Sequence, residues 1–449
     1  MLVLHRGGRR VFSLRTASAV SLHASGRSAR SPFAGDQHFG ILIHTAFWRF
    51  SSVSEQSDKQ ARLLALAGSL ADDFATRAAD HDLNNTFPFE NIERMKETGY
   101  TALVLPEEHG GLGANLVEYC RCQERLAQGC GATALAINMH LFGLGSMLER
   151  GDLLRPQARQ FLHAVGRQHQ IIGGGITEPE TGGNWGLFVS RAAKEGDSYL
   201  LNGRKAFTSL APVIDFFMVM VTVQDPDADG MFSGTFLVPK HAPGLKIVET
   251  WDAMGMRATA SHDLIITDCR VPLDHAIRIR RIGEILPEDI SVFAWFSLSV
   301  AAIYTGVAIA ALNFAKQFAD RHQPLPLPRP IKYLPGIQFA VAEAEALLAA
   351  TRAYTCETAK AWVNGEPFVG EEGLVRVCMP KYVATNNAIR IVDLAMEIVG
   401  SVGIFKKHPL ERYYRDVRAG INHPFSNARM RELIGKNALG IDLLEMPRW

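Results

Sequence analysis

Between Asp58 and Ala79 apolar residues recur at Leu63, Leu64, Leu66, Leu70 and Phe74, the spacing of a helix that buries one face. Phe89-Glu90-Asn91-Ile92 opens a shorter helix that ends near Gly99. A glycine-rich bend follows at Glu107 to Gly111, and two further helices fit residues 114–128 and 132–149. From Ile171 to Pro272 the period changes, and short apolar runs alternate with turns. Tyr199-Leu200-Leu201, Asn202-Gly203 and Arg204 to Phe207 predict a hairpin that turns at Asn-Gly, a pair that tolerates positive φ. Phe216 to Val223 is apolar except for Thr222, as in a buried strand; Thr235 to Val238 and Leu264 to Ile266 predict more strands.

Beyond about Glu284 the pattern is helical again. Ile290 to Ala315 carries no formal charge and is long enough to cross a bilayer. It nevertheless holds Ser297, Ser299, Tyr304, Thr305 and Asn313 behind an acidic Glu288-Asp289 flank, so it is expected as a helix buried among others, with no stable membrane insertion. Pro324, Pro326, Pro328 and Pro330 predict a stiff bend free of helix. Helices are expected at 336–363, 374–399 and 426–438.

The order of elements is an α+β arrangement. It divides into an extension (1–52), an N-terminal helical domain (53–165), a middle β domain (166–275) and a C-terminal helical bundle (276–449). A ligand is expected where the β unit meets the helical layers. In 449 residues, 47% are hydrophobic and 21% charged, which excludes a disordered or fibrous chain. Lys+Arg at 47 against Asp+Glu at 46 argues against nucleic acid as a partner. Six cysteines in a chain this long make no disulfide framework and read as buried thiols in a reducing compartment, the cytoplasm. Residues 1–35 hold Arg6, Arg9, Arg10, Arg15, Arg27 and Arg30 among serines, with no acid and no lysine. That is the composition of a transit peptide, with Arg49 to Ser52 as a processing site and the mitochondrial matrix as destination. It equally fits an upstream stretch included by a misplaced start.

The stretch Gly173-Gly174-Gly175-Ile176-Thr177-Glu178-Pro179-Glu180-Thr181-Gly182-Gly183 lets backbone approach a flat ligand, and Thr177 adds a hydroxyl. It also reads as a tight loop between strands. The segment resembles the T-E-P-x-x-G-S signature of the acyl-CoA dehydrogenase family. In the family's order there follow Gly196 to Phe207, similar to its next hairpin, and Met254 to Thr259 with Asp268 to Pro272, similar to "LGxR…DxxVP". Gly400 to Gly403 is similar to "GGxG", and Glu411 to Asp416 to "ER-x-x-RD". The resemblance spans about residues 56–440.

It implies an N-terminal helical domain, a middle β-barrel-like domain and a C-terminal four-helix bundle. FAD would lie between the last two, part of its adenine end held by a neighbouring subunit of a homotetramer or homodimer. Gly175, Ile176, Thr177, Gly182 and Gly183 would form the cofactor loop, with Thr177 near the reactive nitrogen. Phe207, Thr208 and Ser209 would flank the flavin ring in place of Trp-Ile-Thr. Arg321 would reach the pyrophosphate, and Glu397 to Ser401, Gly400 included, the adenine side. Arg257 would meet the substrate carbonyl or thioester tail, or else make a surface ion pair. The implied reaction is α,β-dehydrogenation of an acyl thioester, with electrons passed on to an accepting flavoprotein.

The base departs from the family. Ala419-Gly420-Ile421-Asn422-His423-Pro424-Phe425-Ser426-Asn427 has no acid where the family has "EGT", and no acid lies between Asp416 and Glu432. The missing Glu falls on Pro424 or Phe425, and the alternative helix position falls near Phe296. Gly183 replaces Ser, and Glu397 replaces the usual Gln. His423 is therefore the candidate catalytic base, since imidazole exchanges protons near neutrality; His140 is a second histidine that would face the pocket or pack in a helix. Two other functions stay open: a flavin monooxygenase of the same fold, which takes reduced flavin and O₂ and lacks the Glu, and a non-catalytic acyl-binding protein.

Overall fold

The computed structural model describes residues 53–154, 158–181, 188–224, 231–282, 288–443 and 445. The reading of residues 1–52, and the calls on Gly182 and Gly183, lie outside the described residues. The first layer holds α1 (Val53–Ala75), α2 (Ala78–Asn84), α3 (Phe89–Glu97), α4 (Leu116–Gly129), α5 (Gly131–Glu149) and α6 (Arg159–Gln168). The helix expected to run to Ala79 breaks after Ala75 and restarts at Ala78. Asn115 starts α4 with a capping box: its side chain accepts from Glu118 N–H (3.0 Å), and the Glu118 carboxylate accepts from Asn115 N–H (2.9 Å).

The middle unit contains β1 (Ile172–Gly175), β2 (Arg191–Glu195), β3 (Ser198–Thr208), β4 (Phe216–Gln224), β5 (Phe232–Pro239), β6 (Leu245–Val248), β7 (His262–Pro272) and β8 (Ala276–Arg281). They form one mixed sheet ordered β6-β7-β3-β2-β4-β5-β8, with β1 paired to β4. β1 and β2 share one edge of β4, both parallel to it, β1 along Phe216 to Val219 and β2 along Thr222 to Gln224. The hairpin expected at Asn202-Gly203 is not there. β3 runs straight through those residues, and the β2–β3 turn falls at Gly196-Asp197, where Gly196 has φ +60°. Asn202 instead marks a register shift against β7: its amide donates to Asp268 Oδ1 (3.0 Å) and its carbonyl accepts from Asp268 N–H (2.8 Å). A Cβ on Gly203 would lie 2.0 Å from Ser190 Oγ, so the glycine serves close strand approach rather than a turn.

The last layer is α7 (Asp289–Arg321), α8 (Pro335–Val363), α9 (Gly370–Val399), α10 (Leu410–Ala419) and α11 (Asn427–Leu439). Lys316 pairs with Glu345 (2.8 Å) and Arg390 with Glu343 (2.7 Å), so α8 runs antiparallel to both α7 and α9. α7 and α9 are parallel, with Ser297 Oγ 3.6 Å from Cys378 Sγ. Residues of α5 and α7 are apolar enough to cross a membrane by length and composition, but 94% and 89% of their most apolar windows are buried among the other elements. The charge-free run is thus the central helix of the bundle, packed against α4, α5 and α9.

Candidate active site

β1 delivers Gly175 and Ile176 into the turn that begins at Thr177. Thr177 is half-exposed, and its carbonyl accepts from Ala206 N–H at 2.8 Å, which ties the turn to the end of β3. Glu178 points inward and is 1% exposed. Its carboxylate accepts from Lys205 Nζ (2.6 Å), Val189 N–H (2.6 Å), Ser190 N–H (3.0 Å) and Thr181 Oγ1 (3.2 Å). Lys205 is fully buried, donates also to Met220 O (2.5 Å), and lies over the Phe188 ring at 4.6 Å. Burial alone would raise the Glu178 carboxyl, but the bonds from Lys205, Ser190 and Val189 outweigh it and hold Glu178 below the usual carboxylate range. Burial brings Lys205 down to about 8 against the opposing pull of Glu178, so below that pH the pair is an ionised pin under the turn.

At the end of β3, Phe207 adopts φ +57° and its ring is 64% exposed, edge-on to Trp251 at 6.0 Å. A left-handed bulky residue is strained. Thr208 is fully buried, and its hydroxyl has no partner among the described residues. Ser209 Oγ bonds Ser261 Oγ (2.7 Å), which bonds Thr259 Oγ1 (2.8 Å). The exposed Phe207 ring and the half-exposed Thr177, joined through the Ala206 N–H bond, are backed by the buried, unpartnered Thr208 hydroxyl. Such a wall fits a flat, polar-edged aromatic ligand of the flavin kind.

A second cluster of candidate residues lies on the helices. Gly420, where the chain leaves α10, is wedged between α7 and α9: a Cβ there would lie 2.8 Å from Thr385 Cγ2 and 3.1 Å from Tyr304 Cδ1. The turn that follows brings His423 Nε2 to 2.7 Å from Tyr304 Oη, although 119 residues separate them. The Phe425 ring stacks on Phe293 at 5.3 Å. His423 is half-buried. Burial, and then the Lys381 ammonium, depress its imidazole to about 3, so it is neutral in the physiological range. Lys381 itself is fully buried and donates to His423 O (2.9 Å) and Phe425 O (2.8 Å).

The acid nearest this turn in sequence is occupied elsewhere. Asp416 is 3% exposed, accepts from Met256 N–H (2.6 Å), and is raised to about 6 by burial. Next to it Arg415 bonds Asp82 (2.5 Å), Glu411 (2.8 Å) and Met254 O (2.9 Å). The "MGMR" and "RD" segments, far apart in sequence, are thus bolted together and to α2.

The sequence candidates do not all come together. Thr177, Phe207, Thr208 and Ser209 come together as described. Arg321 and Glu397, both exposed, and Gly400 lie at one end of the bundle, because α7 and α9 run in the same direction. Arg257 is engaged within the protein: Nε donates to Asp82 O (2.8 Å), and Nη1 to Ala253 O (2.8 Å) and Asp252 Oδ1 (3.0 Å). These bonds include an ion pair with Asp252 and tie α2 to the β unit. His140 does not face a pocket. It is fully buried, accepts from Ile172 N–H (3.0 Å) through Nδ1 and donates from Nε2 to Thr101 O (2.8 Å), pinning β1 to the first layer. Sequence reasoning missed Lys205, Tyr304 and Lys381. The usable signal was charge or hydroxyl on positions whose period points inward.

Comparison with known proteins gives matches to all three domain models of one family. They are acyl-CoA dehydrogenase N-terminal domain over residues 57–152, middle domain over 173–269 and C-terminal domain over 298–428. The chain is 37% identical to YdbM of Bacillus subtilis, which carries a provisional acyl-CoA dehydrogenase name, over 82% of this chain and 94% of that one. It is 29% identical to the mitochondrial short-chain specific acyl-CoA dehydrogenase of Rattus norvegicus, over 84% and 90%. Among solved structures, KijD3 in complex with FMN and a dTDP-amino-keto sugar superposes with TM-score 0.77 at 25% identity, covering 86% of this chain and 94% of that one.

Proposed function

The chain belongs to the acyl-CoA dehydrogenase family, and from that premise we propose that it is an FAD-dependent oxidoreductase that desaturates the α,β bond of an acyl thioester. The observation that best supports the cofactor is the wall of Thr177, Phe207, Thr208 and Ser209, held in place by the buried Glu178–Lys205 pair. Thr177, Phe207, Thr208 and Ser209 would hold the flavin ring, and Arg321, Glu397 and Gly400 its pyrophosphate and adenine side. When bound, the flavin supplies the hydride acceptor.

The protein's own share is a proton acceptor and its orientation. With Nε2–H donating to Tyr304 Oη, His423 keeps the Nδ1 lone pair for the substrate α proton. Tyr304 is fully buried, and burial raises its phenol well above the ordinary value, so it stays protonated and its bond to Nε2 fixes the ring angle. His423 thereby takes the place of the family carboxylate. A weakly basic imidazole demands a strongly acidified α proton, which hydrogen bonds to the thioester carbonyl would provide. An electron-accepting flavoprotein would reoxidise the enzyme, and a second copy of the chain would complete the adenine end of the site.

One observation favours a second reading. The turn has a neutral histidine and no carboxylate, and the FMN-bound KijD3 shares the fold. That combination suits a monooxygenase supplied with reduced flavin and O₂. Anaerobic mixing of the FAD-loaded protein with a panel of acyl thioesters separates the two: one of them should bleach the visible flavin band. His423→Ala should slow that single-turnover bleaching by about 10²-fold. A panel that leaves the flavin oxidised, together with O₂-dependent consumption of supplied reduced flavin, would establish the monooxygenase instead. Protein that cannot be loaded with flavin would be a non-catalytic acyl-binding protein.

A further inference from the structure

Lys381 has no part in the chemistry above, yet its placement is unusual. It lies on α9, fully buried, and its hydrogen bonds among the described residues go to two main-chain carbonyls, His423 O at 2.9 Å and Phe425 O at 2.8 Å. A buried ammonium with no carboxylate partner is costly, and a methionine would fill the same volume without that cost. The two carbonyls flank Pro424, so one side chain holds both ends of the peptide pair that carries the candidate proton acceptor. Tyr304 from α7 holds the His423 ring, and Phe293 from α7 holds the Phe425 ring. The turn is thus gripped from two parallel helices, its backbone by one and its side chains by the other.

We propose that Lys381 is a positioning residue of the active site, whose ammonium clamps the carbonyls of His423 and Phe425 and so presents the His423 ring to Tyr304 and to the substrate. This rests on the reading of His423 as proton acceptor. The clamp also sets charge. Of the titratable groups around His423, Tyr304 from α7 bonds its ring and Lys381 from α9 acts on it directly, while Cys378 on α9 lies beside Lys381 and Asp416 on α10 acts on Tyr304. Burial pushes Cys378 up to about 12 and Asp416 to about 6 and brings Lys381 down to about 7, so in the acid range where His423 takes up its proton Lys381 is the cation that acts on the imidazole from close range. A cation there opposes protonation of His423 and keeps its lone pair free.

The test uses flavin-loaded protein carrying ¹⁵N-labelled histidine, with the His423 ring resonances assigned through His423→Gln. Lys381→Met should speed amide exchange across residues 419–427 at least tenfold and raise the His423 titration by about one pH unit, a tenfold gain in proton affinity. Lys381→Arg, which restores donors and charge, should recover most of both. A merely structural lysine would change melting temperature and exchange but leave the His423 titration in place. Folded Lys381→Met with unchanged titration overturns the proposal. Should Lys381→Met fail to fold, the unsubstituted protein decides: His423 must stay neutral down to about pH 5, and titration near its ordinary value of about 6.5 overturns the proposal. If the turn loosens and the titration rises while no acyl thioester bleaches the flavin, the clamp stands and the dehydrogenase reading alone falls.

Discussion

Replacing Lys205 with methionine tests whether the Thr177 turn is held by charge. Methionine keeps the aliphatic stem under Phe188 and removes the ammonium. Glu178 then keeps three donors, Val189 N–H, Ser190 N–H and Thr181 Oγ1, but loses its only ion-pair partner among the described residues. Both side chains are 0% exposed, so no water replaces the lost cation. Removing one partner of such a pair typically costs about 3–5 kcal/mol. The three remaining donors place the expected loss near the lower figure, about 3 kcal/mol. With the lysine gone, burial dominates at Glu178 and raises its carboxyl in the folded state. The folded variant then binds the extra proton, so its deficit should shrink as the pH falls from 8 to 5. Glu178→Gln added to Lys205→Met should recover part of the loss, giving a coupling of about 1–3 kcal/mol. Denaturant unfolding of all four proteins at pH 8 and pH 5 supplies the cycle, and FAD titration of the apoproteins supplies the functional reading, since a loosened Thr177 turn should bind flavin more weakly. A deficit below about 1 kcal/mol that is flat with pH and additive in the cycle would refute the ionised pin.

Two further outcomes follow from the packing and the buried histidine. A Cβ on Gly145 would lie 2.3 Å from the Trp295 ring, so Gly145→Ala should cost about 1–3 kcal/mol by overpacking; an unchanged melting temperature would mean that α5 and α7 separate freely. Burial lowers His140 from 6.5 to about 4, so its neutral form contributes stability that is complete above pH 6.5 and is lost as the pH falls through about 4. The loss reaches about 3 kcal/mol. Unfolding of His140→Gln at pH 7 and pH 5 should show a flatter dependence than the unsubstituted protein, and parallel slopes would rule the histidine out as the source.

The layer order was legible because the period of burial changes where the architecture changes. It is helical up to Gln168, alternating or continuous through the sheet, and helical again from Asp289. The charge-free run was legible as a core helix because its scattered hydroxyls can be satisfied inside it: Ser299 and Thr305 donate to carbonyls one turn back, at 2.6 and 2.7 Å. The Asn202-Gly203 hairpin failed for a definite reason. Asn-Gly reports only a local tolerance of positive φ, while the Asn202 side chain found a tertiary partner in Asp268, 66 residues away. The competing turn one strand earlier had its own glycine, Gly196, at φ +60°.

The site divides along the same line. Contiguous pieces such as Thr177 to Pro179 and Phe207 to Ser209 could be read off because each acts as a local unit. What holds them could not, since the partners are 27 residues apart for Glu178 and Lys205, 119 for Tyr304 and His423, and 333 for Asp82 and Arg415. This matters most for the base. Asp416 is the nearest acid before the turn, eight positions from its proline. In the fold it caps Met256 N–H beneath Arg415 and cannot leave without exposing that amide and unpicking the joint between α10 and the β unit. The turn it might have served is held instead by a lysine, a phenol and a phenyl ring, none of them a carboxylate. On the proposed reading, proton transfer here runs through an uncharged imidazole, and the substrate's α proton needs the acidity that hydrogen bonds to its thioester carbonyl would supply.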